Sequence, residues 1–405
     1  MLKMEKLRLR FRRDDATNFS DWTEVCLEDV GEIRTGTTPN IKDLKNIGGS
    51  YLWVTPTDIT GKEVTVTATT LSKEGMDVAR EIPANSVLVT CIASIGKNCV
   101  LRNKGSCNQQ INSITPKFGY DVDFLYYLIC RKESVLHSFA GHGGMEILNK
   151  SEFSKLIFKF PSFEEQQKIA AFLTALDEKI LLIDKTIASL NDLKRGLMDR
   201  LFKRRVRFNG KDGTTFGKWR LSTIGAEGTF YYGKSAPKWS LSDTATTPCI
   251  RYGDLYTKHE YVVKDVDTYT EIEREKLVFS KGGEVLVPRV GEDPLDFCKC
   301  AYLPMKNIAI GEMISVYETD NDGLYISYYF NSQMKKTFAK YVEGGNVSNL
   351  YYTYLEGIEL EVPTIDEQKR ISDFLSVLIE KIDVNKNKKE KYVTLKRAFM
   401  QQMFV

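Results

Sequence analysis

Histidine is scarce in this sequence: three (His137, His142 and His259) in 405 residues. That leaves few imidazoles for a metal centre or a general base. The eight cysteines (26, 91, 99, 107, 130, 249, 298 and 300) include no CxxC pair, and Cys298 and Cys300 form only a CxC. Reduced, half-buried thiols fit this pattern better than structural zinc. No apolar run approaches the ~18 residues of a membrane span, and no signal-peptide core is present. A cytoplasmic chain with no membrane contact is expected. The net charge is only +3, so any nucleic-acid surface must arise from local clustering. The phosphate-cradling G-x-G-x-x-G and G-x-x-x-x-G-K-[ST] loops are missing, as are G-x-S-x-G and H-E-x-x-H. Asp177-Glu178-Lys179 matches half of a nuclease D-x-K signature, but it lies inside a helical pattern and reads as a solvated face. Asp293-Pro294-Leu295 is not the Asn-Pro-Pro-Tyr type of motif that adenine methyltransferases carry. The chain is expected to be non-catalytic and to hold no metal or cofactor of its own.

What is present is a repeat. Hydrophobic residues make up 42% and charged residues 27%, a globular composition with length for two or three domains. Pro161-Ser162-Phe163-Glu164-Glu165-Gln166-Gln167-Lys168-Ile169 returns 202 residues later as Pro363-Thr364-Ile365-Asp366-Glu367-Gln368-Lys369-Arg370-Ile371. The same spacing carries Leu193-Lys194-Arg195 onto Leu395-Lys396-Arg397 and Phe202 onto Phe404. Arg8-Leu9-Arg10-Phe11 and Trp22 match Arg205-Val206-Arg207-Phe208 and Trp219 at a spacing of 197. A period near 200 is too long for a solenoid repeat; a whole domain plus a helix is duplicated.

Both repeats predict long helices. Ser162 and Thr364 can cap them, and Glu165 and Glu367 can reach back to complete capping boxes. Ile169, Leu173, Leu176, Ile180, Ile183, Ile187 and Leu190 alternate steps of four and three, the period of a coiled-coil seam. The second copy keeps Ile371, Leu375, Leu378 and Ile382, then places Asn385 and Lys389 in the seam, where polar residues fix register and partner. Gln166 and Gln368 are grouped with these seam residues as candidates for helix pairing or partner docking. About 40 residues at 1.5 Å rise give roughly 60 Å of helix. If the two seams meet, the helices are antiparallel with a domain at each end. The basic run Lys194, Arg195, Arg200, Lys203, Arg204, Arg205 and Arg207 is opposed locally only by Asp199, and is expected to touch phosphates.

Between the helices the pattern is mixed and strand-rich. Strands are expected over 51–54, 64–67, 86–90, 284–287 and 314–317, and helices over 123–138 and 323–341. The boundaries that follow are 1–160 for a first domain, 161–206 for a central helix, 207–362 for a second domain and 363–405 for a distal helix. Polar residues cluster on Gly-rich turns at matched places. The first domain offers Arg34, Thr35, Thr37, Thr38, Ser94, Lys97, Asn108, Gln109, Gln110 and His142. The second offers Tyr231, Tyr232, Lys234, Ser235, Arg251, Arg289, Glu292, Asp293 and Asn346. Arg and Lys suit phosphates and guanine edges, Asn and Gln suit adenine, and Glu or Asp suits a cytosine amine.

Two units of variable domain plus long helix, each helix opened by Pro-x-x-x-Glu-Gln-x-x-Ile, resemble the specificity subunit of type I restriction–modification systems. Gly36-Thr37-Thr38-Pro39, Trp53-Val54-Thr55-Pro56-Thr57-Asp58-Ile59 and Ser94-Ile95-Gly96-Lys97 leading to Asn108-Gln109-Gln110 look like the same family. The second domain departs from it, with Lys234-Ser235-Ala236-Pro237 in place of the Gly-Thr-Thr-Pro turn and Gly311-Glu312 where Asn-Gln-Gln would stand. The resemblance implies an α+β fold: two similar target-recognition domains joined by two antiparallel coiled-coil helices in a pseudo-two-fold repeat. It also implies double-stranded DNA as ligand, read in two halves. Partners would be two modification (methyltransferase) subunits carrying S-adenosylmethionine, and restriction subunits using ATP and Mg2+. A coiled-coil adaptor for protein or glycan, and a stand-alone DNA-modifying enzyme, are the alternatives.

Overall fold

The computed structural model describes residues 9–139, 146–210, 212–234, 236–344 and 348–404. The candidates His142, Ser235 and Asn346 lie outside the described residues. The chain forms two compact units, residues 1–184 with 387–405, and residues 185–386. Among the described residues no helix is long and apolar enough to cross a membrane.

The first unit holds β1 (Thr23–Cys26), β2 (Gly31–Thr35), β3 (Ile47–Val54), β4 (Thr70–Leu71), β5 (Ser86–Thr90), β6 (Asn98–Leu101), β7 (Ser106–Cys107), β8 (Ile111–Pro116) and β9 (Ile157–Phe160). An antiparallel four-stranded sheet runs β2-β8-β5-β6, beside a smaller sheet β4-β3-β7 in which β3 and β7 are parallel. β1 and β9 pair separately. Successive side chains of a strand face opposite ways, so β5 serves two cores at once. Val87 and Val89 pack into a large cluster with Phe124, Phe153, Ile169 and Leu173. Leu88 faces a second cluster with Val54, Cys99 and Ile111.

The second unit repeats the plan with β10 (Arg220–Thr223), β11 (Gly228–Tyr232), β12 (Thr247–Ile250), β13 (Tyr269–Thr270), β14 (Glu284–Pro288), β15 (Val290–Gly291), β16 (Ala301–Leu303), β17 (Ala309–Ile310), β18 (Ile314–Thr319), β19 (Glu343–Gly344), β20 (Ser348–Asn349) and β21 (Glu359–Val362). Sheet orders β11-β18-β14-β16 and β13-β12-β17 mirror those of the first unit, and β10 pairs β21. β14 again feeds two cores, with Val285 and Val287 on one side and Leu286 on the other. A further small sheet, β15-β20-β19, sits beside them.

Sequence expectation and structure differ at several elements. Residues 64–67 are not a strand: Val64 is buried but Val66 is 78% exposed, and the chain's contact with β6 is a single bridge between Glu63 and Val100, just before the segment. The first expected helix is two, Val122–Arg131 and Glu133–Ser138, broken at Lys132, whose ψ of 15° leaves the helical region. The second is likewise Gly323–Gln333 and Lys335–Ala339.

The long helices span Phe163–Phe202 and Ile365–Met403, and each contributes to both units. Within the first unit they run antiparallel. Phe172 meets the Phe399 ring at 4.9 Å, Asp177 Oδ1 accepts from Lys396 Nζ at 2.5 Å, and Asp184 pairs with Lys389 at 2.7 Å. Seam positions Ile169, Leu173 and Ile183 are buried, with Leu176 and Ile180 half-buried. Within the second unit Met198, Leu201 and Phe202 share a core with Ile371 and Leu375, and Leu378 and Ile382 are buried as well. Asn385 does not reach across the seam; its Nδ2 donates to the Lys381 carbonyl one turn back, at 2.8 Å. Asp177 is not on a solvated face, since it also accepts from the Tyr127 hydroxyl at 2.6 Å.

The capping boxes form only in part. Glu165 N–H donates to Ser162 Oγ at 3.4 Å, but the glutamate carboxylates turn elsewhere. Glu165 takes both arms of Arg10 at 3.0 and 2.7 Å, and Glu367 takes both arms of Arg207 at 2.9 and 2.7 Å. A second arginine bond closes each clamp, from Arg10 to the Ser20 carbonyl and from Arg207 to the Gly217 carbonyl. Two parallel charge-assisted bonds outcompete one bond to a backbone amide. The repeated Arg-x-Phe and Glu-Gln motifs thus tie the start of each unit to the start of its helix. Gln166 and Gln368 are buried clamps of the same kind rather than docking residues. Gln166 accepts from Asp121 N and donates to the Pro161 carbonyl, at 2.9 and 3.0 Å. Gln368 does the same to Asp322 N and Pro363, at 2.8 and 3.0 Å.

Candidate nucleic-acid interface

Strand register gathers the sequence-selected turns at one edge of each main sheet. In the first unit Thr35 of β2 lies opposite Asn112 of β8, Thr90 of β5 opposite Ile111, and Val89 opposite Asn98 of β6. The turns 36–39, 91–97 and 108–110 therefore leave the sheet at the same end. β3 and β7 are in parallel register at Val54 and Cys107, which brings 55–58 to the same place. The second unit does likewise with 233–234, 289–293, 311–313 and Arg251, through the pairs Tyr232–Ser315, Pro288–Ile314 and Ile250–Ile310.

Several backbone bonds of the scaffolding recur at the two edges. Gly36 N–H donates to the Ile111 carbonyl and Gly233 N–H to that of Ile314, both at 3.0 Å. The next residues, Thr37 and Lys234, donate to Cys107 and Ile310, both at 2.9 Å. A Cβ on either glycine would lie 2.2 Å from a carbonyl oxygen, that of Asn108 or of Gly311, so only glycine lets these turns approach. Asp58 Oδ2 accepts from Thr55 N at 2.8 Å, and Asp254 Oδ2 from Arg251 N at 2.9 Å. Burial pushes the Asp58 carboxyl up, but bonds from the Thr55 hydroxyl and the Ala68 and Thr55 amides outweigh it and hold it below the usual range.

The side chains on that shared scaffold differ. The first edge is a network of hydroxyls and amides. Thr38 Oγ1 donates to Gln109 Oε1, Asn108 Nδ2 donates to Gln110 Oε1 at 3.0 Å, and Thr35 Oγ1 donates to Asn112 Oδ1 at 2.7 Å. Lys97 Nζ donates to the Pro56 carbonyl at 2.7 Å, beside the exposed Ser94. The second edge is aromatic and charged. The Arg289 guanidinium lies 4.5 Å from the Tyr232 ring centre and 5.3 Å from that of Tyr351. Tyr232 packs on Tyr352 at 4.6 Å, and Lys234, Glu292 and Asp293 are exposed.

Residues 19–192 and 228–393 match the family described as type I restriction modification DNA specificity domain, one match over each repeat. This chain belongs to that family. The type I restriction enzyme MjaIX specificity subunit of Methanocaldococcus jannaschii is 24% identical over 94% of this chain and 93% of its own length. The HindI specificity subunit of Haemophilus influenzae is 30% identical over 42% of this chain and 39% of its own length. In fold, the S subunit of the M. genitalium type I system superposes with a TM-score of 0.62 at 14% identity, covering 96% of this chain and 97% of that one.

Within this specificity-domain fold the selected residues divide. Arg34 faces its own sheet: its Nε and Nη2 bind Glu32 at 2.8 and 2.9 Å, and Nη1 binds the Glu81 carbonyl. The Glu32 carboxylate hydrogen-bonded to its guanidinium raises the Arg34 pKa further. Tyr231 alternates away from Tyr232 and buries its hydroxyl beside an inner cluster. Both leave the edge. Arg80 and Tyr351 were not among the residues the sequence singled out. Arg80 braces the first edge through its N–H to Thr37 Oγ1 and its Nη1 to the Thr35 carbonyl, at 2.7 and 2.5 Å. Tyr351-Tyr352-x-Tyr354 was a visible signal, an aromatic run whose position beside Arg289 only folding supplies.

The basic run at the end of the first long helix is largely neutralised, by acids both near in sequence and distant. Lys194 is buried, bonded to Glu260 at 3.0 Å and 5.0 Å from the Tyr261 ring centre. Arg204 pairs with Glu361 at 2.7 Å, Arg207 with Glu367, Arg195 with Asp192, and Lys203 and Arg205 with Asp199. Arg200 alone in that run is exposed with no acidic partner among the described residues.

Proposed function

We propose that this chain is the DNA-reading subunit of a type I restriction–modification complex and does no chemistry itself. Each unit reads one half of a bipartite duplex target with the turns at its sheet edge. The long helices set the number of unread base pairs between the halves. Two modification subunits, which bring S-adenosylmethionine, and restriction subunits, which use ATP and Mg2+, are its partners. The observation that carries this reading is the pair of edges with matching backbone bonds at their glycine turns and unlike side chains. Phosphate contacts need charge, whereas base readout needs donors and acceptors that vary with the sequence read. One edge rich in amides and another built on an arginine fit two different half-sites.

The test is to express the chain with a modification subunit in a host lacking other adenine methylation, and to map modified adenines across the genome. The expected result is one bipartite motif with an unread spacer of fixed length. A contiguous motif, or methylation unchanged when this chain is omitted, would refute the reading.

A further inference from the structure

We propose that Arg289 is the base-reading residue of the second unit and that its target is a guanine. The inference rests on the reading of this chain as a DNA-specificity subunit. Main-chain bonds place Arg289 where the first unit has Cys91. Cys91 N–H donates to Gln110 and its carbonyl accepts from Leu148, at 2.8 and 2.9 Å; Arg289 N–H donates to Met313 and its carbonyl accepts from Leu350, at 3.1 and 2.8 Å. In the first unit that position is a buried thiol; in the second it is a guanidinium at the end of β14, an inner strand of the sheet.

Its surroundings single it out. Arg204, Arg207 and Arg220 of the same unit each bind a carboxylate at 2.7 Å. Arg289 has none among the described residues. It lies instead near the faces of Tyr232 and Tyr351, and its Nε is buried without a hydrogen-bond partner. Neither terminal nitrogen has an acceptor among the described residues, and the side chain as a whole is half-buried rather than enclosed. The aromatic neighbours orient the planar fork and weaken its hydration without neutralising it. A fork held this way meets paired acceptors at little ordering cost. Guanine O6 and N7 in the major groove are such a pair.

A phosphate is the other paired acceptor, and the neighbours argue against it. Glu292 and Asp293 follow closely and are exposed; their carboxylates repel a phosphate but accept from the amino group of the cytosine opposite a guanine. The exposed Lys234 on the adjoining turn is the better phosphate contact.

The experiment maps methylated adenines for the full chain co-expressed with its modification subunit, in wild type, R289K and R289A. Arg289→Lys keeps charge and stem but loses the fork, so it remains informative if Arg289→Ala folds poorly. The wild-type motif is expected to hold a fixed guanine in one half. Both variants should relax preference at that one position by on the order of ten- to a hundredfold, with the other half intact. The proposal is overturned if the motif is unchanged in R289K. It is equally overturned if both variants lose binding to all sequences alike with a shallower salt dependence, the signature of a phosphate contact. A wild-type chain that specifies no bipartite motif would instead remove the underlying reading.

Discussion

Gly36 and Gly233, Asp58 and Asp254, and Gln166 and Gln368 hold matching posts in the two units, and each is explained by its contacts. Gly36→Ala places a methyl 2.2 Å from the Asn108 carbonyl, so the turn must shift. The expected cost is about 1–3 kcal/mol, read as a lower urea midpoint, together with methylation lost through the first half-site. Glu367→Gln leaves Arg207 with one neutral acceptor in place of a buried carboxylate, and weakens the bond from Trp219 Nε1, now 3.0 Å long. About 1–3 kcal/mol of stability should go, with the motif read by folded molecules unchanged. Asp58 carries a pH consequence. Its carboxyl is held below the usual range in the folded chain, chiefly by Thr55 and Ala68 against the opposing pull of burial. A depressed folded pKa adds stability above the unfolded value of roughly 4, and that stability is lost as pH falls through the folded value. Asp58→Asn should therefore flatten the acid side of the stability profile below pH ~4, measured by denaturation at a series of pH values. Gln109→Ala removes a side chain that bonds Thr38 but supports no core, so it should alter the first half of the target and spare the second.

Among elements, the long helices show why charge counted along the chain misleads. The run from Lys194 to Arg207 has one nearby acid in sequence, yet Glu260, Glu361 and Glu367 reach it through the fold. Arg204→Glu is thus expected to cost stability through repulsion with Glu361 rather than to change the salt dependence of DNA binding. Both groups are partly exposed, which limits the pair to about 1 kcal/mol. The charge swap R204E with E361R should restore most of the loss in thermal melts. A melt of R204E unchanged from that of the wild type would show that the pair contributes nothing. Burial along the helices follows the four–three spacing, and the polar seam residue Asn385 spends its amide on its own helix. It therefore cannot fix pairing by a bond across the seam.

For the molecule as a whole, modularity is the property to test. Each unit has its own cores and its own edge of polar turns. Exchanging residues 20–155 for those of another family member should rewrite one half of the methylated motif and preserve the other. Matched insertions of whole turns in both long helices should lengthen the spacer and keep both halves. Methylation mapping of each chimera separately decides both points; a single exchange that rewrites both halves would show that the units do not read independently.

The duplication, the starts of both long helices within about two residues, the seam and the strands at 86–90 and 284–287 are all local or periodic features, and sequence alone determined them; the first helix ends at Phe202, short of the expected 206. Repetition carried most of that weight, because a pattern written twice separates constraint from accident. The turns that matter were also visible, since Gly-rich polar runs break strands wherever they occur. What side chains do on those turns was decided only by tertiary structure. Tyr231 turns toward an inner cluster and Arg34 lies on the outer face with Glu32, because strand alternation chooses the face of each. Glu165 left its cap for Arg10, 155 residues away, since a bidentate ion pair outweighs a single local bond. Arg289 gained its meaning from Tyr351, brought beside it by the bond from Leu350 N–H to the Arg289 carbonyl. Contacts between residues far apart in the chain depend on register and packing, and no local pattern encodes them.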